Sequence, residues 1–261
     1  MEAALINVAL AGQGANGTGA RYFARLHGSK DVVKAEATCC EGQSARLFGA
    51  SPEFVFSVAR GRASVDLFEP VTLSAASAAS VAVSVAVDTR WSFDAAVRVT
   101  LSPAAPLPAG DFELAVRVPA WAAGGGAVAF AINGAPAGTF AAGSYAVFAR
   151  AWAAGDAVTF ALPMELAAHA YTGETQIPPF ARAAFMFGPF LLAAEGAWAA
   201  DTDCIHMGPL DPASPNQWLA PDGGSPGALP PRFLAVAANV SFVPYYAIPS
   251  DEQFTVYPCF G

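Results

Sequence analysis

The stretch "AAVRVTLSPAAPLPAGDFELAVRVPAW", residues 95–121, shows the pattern that indicates the fold class of this chain. It holds two segments in which apolar residues alternate with others, separated by a run rich in proline and glycine. In the second segment Leu114, Val116 and Val118 lie on one face of an extended chain, and the intervening residues lie on the other. This period is typical of a half-buried β-strand, and the Pro/Gly run favours a turn between strands.

The same pattern recurs throughout the middle of the chain. Short alternating segments are separated by Gly, Pro, Asp or Asn, and together they predict about seven strands. The further segments are "ASVDLFEPVTL" 63–73, "SVAVSVAVD" 80–88, "AVAFAING" 127–134, "SYAVFARAW" 144–152 and "AVTFALPM" 157–164. Asn133-Gly134 is a strong tight-turn pair, and Gly155-Asp156 serves the same purpose. The predicted architecture is an antiparallel β-sandwich over residues 59–165.

The flanking regions differ from this block. Residues 1–58 begin with a predicted helix, in which apolar residues recur near helical spacing until a glycine-rich run ends it. "RYFARL" 21–26 is a short strand candidate, the segment after Cys40 predicts two helical turns, and "EFVFSVA" 53–59 predicts a strand. Residues 166–261 form a second β-rich region, with a long Pro/Gly-rich loop near 200–231 and closing strands.

Composition narrows the classes of function. The 261 residues are 54% hydrophobic and 13% charged, which favours a large buried core. The net charge of −8 argues against a nucleic-acid partner, because phosphates attract basic surfaces. No apolar run reaches the roughly 18–20 residues that span a bilayer, so a membrane is not expected either. The N-terminus lacks a basic region before its apolar residues and is a poor signal peptide.

Two sequons are present, Asn16-Gly17-Thr18 and Asn239-Val240-Ser241. Such tripeptides accept N-linked glycans in secreted proteins. Glycosylation would need secretion, and motifs this short also arise by chance.

Four cysteines are too few for a disulfide-dense scaffold. Cys39 and Cys40 are adjacent, and neighbours in sequence rarely bridge each other because disulfide geometry strains such a pair. The two are therefore either inert small side chains or thiolates held ready for a metal or for chemistry. Cys204 and Cys259 are interpreted as lone thiols, and "DTDCIH" 201–206 as a polar loop rather than a metal cluster.

Two tryptophans in the strand block allow two interpretations. Trp121 and Trp152 each lie at a predicted strand end, where an indole ring serves either sugar stacking or packing at a sandwich corner. Packing is the favoured interpretation for both.

An ordered series of segments resembles the C-terminal part of glycoside hydrolase family 127, the β-L-arabinofuranosidase type. The most informative member is the Cys-Cys segment with the helix and strand that follow it. The series comprises "MEAALINVALAGQ" 1–13, "RYFARL" 21–26, "TCCEGQSARLFGASPEFVFS" 38–57, "LAVRVPAW" 114–121, "ARAWAAGDAVTFALPM" 149–164, "FMFGPFLLAAE" 185–195 and "PYYAIPSDEQFTVY" 244–257.

The resemblance implies an (α/α)6 barrel followed by β-sandwich domains, so residues 1–58 would be the end of such a barrel. It also implies a zinc ion held by three cysteines and a glutamate, with one thiolate attacking the anomeric carbon of an arabinofuranoside. By position, Cys39 resembles the nucleophile and a zinc ligand, Cys40 a zinc ligand, and Tyr22 a substrate-binding residue.

The family's other zinc ligands and its acid/base glutamate precede the first segment of this series. The chain is therefore expected to be inactive alone, and to self-associate through an apolar face that the barrel would cover. The alternative is a non-catalytic β-sandwich that binds carbohydrate or packs against another chain, without needing zinc or either cysteine.

Overall fold

The structure is a computed structural model, and it describes residues 1–34, 39–75, 82–90, 94–174, 178–196, 207–209, 211, 213–222, 231–236 and 238–261. The chain divides into two units. One is formed by Met1–Gly49 together with Glu165–Gly261, and the other by Ala50–Met164. The chain is mainly β, as the alternation predicted, and among the described residues no helix has the length and apolarity needed to cross a membrane.

The N-terminal segment is helical at its start. Helix α1 (Glu2–Ala4) continues as a π-helix over Leu5–Leu10, which confirms the predicted helix. Three two-residue strands follow: β1 (Ala20–Arg21), β2 (His27–Gly28) and β3 (Val33–Lys34). The predicted "RYFARL" strand is wrong beyond Arg21, where the β1–β3 pairing ends.

Helix α2 (Cys39–Ala50) comes next, where two helical turns were predicted. It is followed by a 3₁₀ turn over Ser51–Phe54. Pro52 has no backbone N–H to donate, so it ends the α-helical hydrogen-bond pattern there. The barrel remnant predicted for residues 1–58 corresponds here to short helical segments, and the assignment to a barrel stays a prediction. The predicted domain boundaries at residues 58 and 165 stay predictions as well.

The Ala50–Met164 unit contains ten strands in two sheets. The larger sheet has the order β11-β10-β13-β8-β7-β6, the smaller has the order β12-β9-β5-β4, and all neighbours are antiparallel except β5 and β9. The strands are β4 (Phe56–Ala59), β5 (Arg62–Val65), β6 (Thr72–Leu73), β7 (Val83–Thr89), β8 (Ala96–Pro103), β9 (Glu113–Arg117), β10 (Ala127–Ile132), β11 (Ala135–Ala141), β12 (Tyr145–Ala149) and β13 (Ala157–Ala161).

These two sheets pack face to face. Val99, Leu101 and Leu114 are fully buried, and burial alternates along β7, β8, β10 and β12. Phe130 of the larger sheet lies 5.7 Å, between ring centroids, from Phe148 of the smaller one. The inward faces therefore share one core, as expected for a sandwich.

Both predicted tight turns are present, and they contact each other. Asn133 and Gly134 have φ of 51° and 82°, the left-handed region that a two-residue hairpin of this kind requires. The Asn133 side-chain amide donates to Asp156 Oδ1 at 2.7 Å, and Ala157 N–H donates to Asn133 Oδ1 at 2.9 Å. The two loops therefore brace the same end of the larger sheet.

The remaining strands belong to the other unit, in a nine-stranded sheet that also includes β2. The buried side chains of Phe185, Leu192, Phe242 and Phe260 form its main core. The strands are β14 (Leu166–Ala170), β15 (Ala181–Phe187), β16 (Phe190–Glu195), β17 (Leu219–Pro221), β18 (Phe233–Ala235), β19 (Ser241–Pro244), β20 (Phe254–Thr255) and β21 (Cys259–Phe260). β2 pairs with β20, so the start of the chain joins its closing strands.

Candidate functional site

Cys39 is the first described residue of α2, and its side chain is exposed. It is not in a disulfide. Cys40 follows as the second residue of α2, and its side chain lies outside the described part of the structure. The position suits a reactive thiol better than an inert, buried one.

Tyr22 directly follows β1, and its side chain is 45% exposed. Its ring makes an edge contact with Phe23 at 4.7 Å between centroids. An exposed aromatic ring of this kind can lie against a sugar, and the assignment of Tyr22 to substrate binding stays a prediction.

The segments of Tyr22 and Cys39 both leave the β1–β3 strand pair. Ala20 pairs with Lys34, and Arg21 pairs with Val33, in antiparallel register. The chain continues from Arg21 into Tyr22 at one end of the pair, and from Lys34 towards Cys39 at the other. Residues 35–38 between β3 and α2 lie outside the described part.

Arg21, beside Tyr22, fixes this strand pair to its surroundings. Its guanidinium donates to the carbonyl of Gln13 at 2.7 Å and to that of Asp31 at 2.9 Å. A third bond runs to the hydroxyl of Ser250, near the closing strands. Charge-assisted bonds to several separate segments hold the backbone before Tyr22 in one position.

Lys30 is a buried cation in this region, with 7% of its surface exposed. Its Nζ donates to the carbonyl of Tyr246 at 3.2 Å and lies 5.1 Å from the ring centroid of Tyr245. Burial, followed by the nearby charge of Arg21, lowers the pKa of Lys30 to about 8. Desolvation disfavours the charged ammonium, so the folded protein releases this proton well before the unfolded chain does.

This proton release predicts a pH-dependent stability. Between pH 8 and the ordinary lysine pKa of 10.5, the unfolded chain holds the Lys30 proton and the folded protein does not, so the contribution of Lys30 to stability rises with pH. Urea titrations at pH 7 and pH 9.5 should therefore show that the wild-type protein gains free energy of unfolding relative to Lys30→Met. Arg25→Met, at an exposed arginine, should track the wild type; an equal gain in Lys30→Met would contradict the assignment.

Sequence reasoning missed both Arg21 and Lys30. Arg21 directly precedes the singled-out Tyr22, and Lys30 is one of only two lysines in the chain. Lys30 contacts the carbonyl of Tyr246, 216 residues away, and Arg21 contacts the hydroxyl of Ser250, 229 residues away. No local pattern reveals such partners.

The other cysteines require a correction. Cys259 is fully buried and disulfide-bonded, so the expectation of a lone thiol there is wrong. Cys259 lies in β21 with its side chain buried, and Met207 N–H donates to its carbonyl at 2.8 Å. Cys204, His206 and the rest of "DTDCIH" 201–206 lie outside the described residues.

The tryptophan prediction is confirmed for Trp152. Its ring is 1% exposed, and its indole N–H donates to the Phe112 carbonyl at 3.3 Å. Trp152 therefore packs inside the sandwich and is not available for sugar stacking. Trp121 is partly buried.

The described residues do not complete a metal site. Across those ranges, no group of three or more His, Cys, Asp or Glu side chains could hold a metal ion. Two cysteines fall short of the four ligands of a tetrahedral zinc ion. Cys39 has suitable chemistry for one ligand, but zinc at Cys39 and Cys40 would need further ligands from elsewhere.

The sequence of the chain matches the model of one known protein family. Residues 63–164 match the model of the GH127 middle domain of β-L-arabinofuranosidases. No curated protein matched the sequence. The resemblance to family 127 drawn from the sequence is confirmed.

Three solved structures share the fold over nearly the whole chain. A glycoside hydrolase has 20% identity and a TM-score of 0.75, and the match covers 100% of this chain and 48% of that hydrolase. A GH127 β-L-arabinofuranosidase from Geobacillus stearothermophilus T6 has 18% identity and a TM-score of 0.68, and the match covers 100% of this chain and 46% of that enzyme. A GH127 β-arabinofuranosidase has 16% identity and a TM-score of 0.66, and the match covers 97% of this chain and 44% of that enzyme. This chain spans about half the length of each.

Proposed function

Because residues 63–164 match the model of the GH127 middle domain, we propose that the chain is the C-terminal part of a retaining glycosidase that removes terminal β-L-arabinofuranosyl units. The match over residues 63–164 carries this proposal. The shared fold over the full chain supports extending it to the segment that holds Cys39.

In this proposal the thiolate of Cys39 is the nucleophile. It attacks the anomeric carbon, so a C–S bond forms while the bond from that carbon to the leaving oxygen breaks. A water molecule then displaces the sulfur, and two inversions retain the configuration. The leaving oxygen must receive a proton from an acid that this chain is not proposed to supply. The exposure of Cys39 and its lack of a disulfide support the role.

Tyr22 would contact the sugar in the same site. Its position depends on β1, which Arg21 holds through bonds to Gln13, Asp31 and Ser250. Arg21 is thus a positioning residue for Tyr22.

Cys39 and Cys40 would supply two of the four ligands of a zinc ion. When bound, zinc would keep a coordinating thiol ionised at neutral pH. In the longer enzyme that this proposal implies, chelation should abolish hydrolysis of an aryl β-L-arabinofuranoside, and added zinc should restore it. The 261-residue chain by itself should show no hydrolysis with or without zinc. Zinc-independent hydrolysis by the longer enzyme would exclude the metal from the mechanism.

The segment 1–34 also carries a concentration of exposed apolar side chains. Seven of the twelve large hydrophobic side chains exposed among the described residues lie there: Met1, Val8, Leu10, Tyr22, Phe23, Leu26 and Val32. Surfaces of this kind usually contact another part of a protein. We propose that the remainder of the enzyme covers this segment.

The 261-residue chain alone should therefore self-associate as its concentration rises. Phe23→Ser combined with Val32→Ser should shift sedimentation velocity profiles towards the monomer. Val236→Ser removes a side chain that is 66% exposed outside this segment, and it should leave the profile unchanged. A wild-type chain that stays monomeric at high concentration would rule out this apolar surface as an interface.

A further inference from the structure

Asn239 lies at the surface, in the turn between β18 and β19. Its side chain is exposed, and its φ of 50° is a left-handed conformation that asparagine tolerates well. The turn is closed by backbone bonds, from Asn239 N–H to the Ala235 carbonyl at 3.0 Å and from Ala235 N–H to the Val240 carbonyl at 2.8 Å. Ser241 two residues on completes a sequon. A group attached to the Asn239 side chain would extend into solvent and disturb none of these bonds.

Asn16 lies in an exposed loop and completes the other sequon with Thr18. Its Oδ1 accepts bonds from the Thr18 backbone N–H at 3.0 Å and from the Thr18 hydroxyl at 2.8 Å. Those two bonds involve the oxygen of the Asn16 amide. The nitrogen Nδ2, which an N-linked glycan would occupy, is not needed for this turn.

The disulfide at Cys259 indicates the chemical environment independently. The residue is fully buried in β21, which pairs with β15, so its half of the bond lies in the folded interior. Structural disulfides persist in oxidising compartments, which are also where secreted proteins receive N-linked glycans. Two exposed sequons and a buried disulfide thus indicate the same compartment from different chemistry.

We propose that Asn16 and Asn239 are N-glycosylated, in a protein that folds in an oxidising secretory compartment. The donor is a lipid-linked oligosaccharide pyrophosphate. The bond between the donor's anomeric carbon and its phosphate oxygen breaks, and a bond from that carbon to Nδ2 forms. The lipid pyrophosphate leaves, and one Nδ2 proton passes to a base of the transferase. This modification does not depend on the proposed glycosidase activity.

The test uses the protein isolated from the cells that naturally make it. Peptide N-glycosidase in heavy-oxygen water converts a glycosylated asparagine to a labelled aspartate, which peptide mass spectrometry detects. The peptides with Asn16 and Asn239 should both gain the label well above an enzyme-free sample, which corrects for spontaneous deamidation at Asn16-Gly17. Asn216 is an internal control because it is exposed, but Trp218 follows it where a sequon needs a hydroxyl residue.

A variant provides the matched comparison. Ser241→Ala removes the sequon but keeps Asn239, so it should lose the glycan at Asn239 entirely and retain the one at Asn16. A peptide that carries no glycan in the wild-type protein overturns the proposal for the asparagine it contains. Resistance of Cys259 to alkylation until the protein is reduced would show that the protein folded in an oxidising compartment. If Asn16 and Asn239 were both unmodified in that protein, the proposal would be overturned for both asparagines.

Discussion

Replacing Cys39 with serine is expected to lower kcat/KM of the longer enzyme for an aryl β-L-arabinofuranoside by about 10³-fold or more. Losing a covalent nucleophile typically costs rates of this order, and often more. A serine hydroxyl at the same position is almost fully protonated at neutral pH, so it cannot replace the thiolate. Steady-state kinetics of the wild type and Cys39→Ser, with circular dichroism to verify folding, measures the effect.

Gln43→Ala is the matched control, because Gln43 is an exposed residue of the same helix α2. It should leave kcat/KM unchanged. A Cys39→Ser enzyme that keeps the wild-type rate would remove Cys39 from catalysis. If the protein instead bound arabinofuranosides without hydrolysis, and did so without zinc or either cysteine, it would be a carbohydrate-binding module.

Trp152→Ala is expected to lower the free energy of unfolding of the sandwich unit by about 3–5 kcal/mol. The ring is buried at 1% exposure, and the residue forms an isolated bridge with Leu107 through backbone bonds of 2.8 and 2.9 Å. Truncation therefore leaves a large cavity beside a backbone connection of the sandwich. Because domains typically have about 5–15 kcal/mol of stability, the variant should be close to unfolding. Urea titration followed by circular dichroism measures the loss.

Two smaller substitutions, at and beside Trp152, separate the contributions of packing, the indole hydrogen bond and the contact with Arg150. Trp152→Phe keeps most of the packing and loses only the bond from the indole N–H to Phe112, so about 1 kcal/mol is expected. Arg150→Ala removes a guanidinium 5.3 Å from the ring centroid, near the surface, and should cost about 1 kcal/mol or less. A stable Trp152→Ala protein with weakened sugar binding would restore the stacking interpretation.

The strands of the sandwich could be predicted where side-chain alternation is strict. β8 buries every second residue, and its Val and Leu side chains show that period directly in the sequence. β9 departs from the predicted alternation, because Ala115 is buried together with its neighbours Leu114 and Val116. β11 was not predicted, because Pro136 and Gly138 fall within it and are typical of turns. It is an edge strand, where Pro is tolerated because one side of the strand has no hydrogen-bonding neighbour. β17 was missed as well, within a region that was interpreted as a loop.

The candidate site could be predicted only as far as local sequence determines it. The cysteine pair and the predicted helix form one continuous segment, and the structure places both cysteines in that helix. The contacts of Arg21 with Ser250 and of Lys30 with Tyr246 join distant parts of the chain. Such contacts follow from the tertiary fold and not from spacing, and for that reason the sequence did not reveal them.

Trapping the sugar on the enzyme identifies the nucleophile directly. The longer enzyme would be quenched with acid during turnover of an activated aryl β-L-arabinofuranoside, digested, and examined by peptide mass spectrometry. A pentosyl adduct is expected on the peptide that contains Cys39, located on its sulfur by fragmentation and absent from Cys39→Ser. A pentosyl group found on a carboxylate side chain of an active enzyme, with the Cys39 peptide unmodified, would contradict the role of Cys39 as nucleophile.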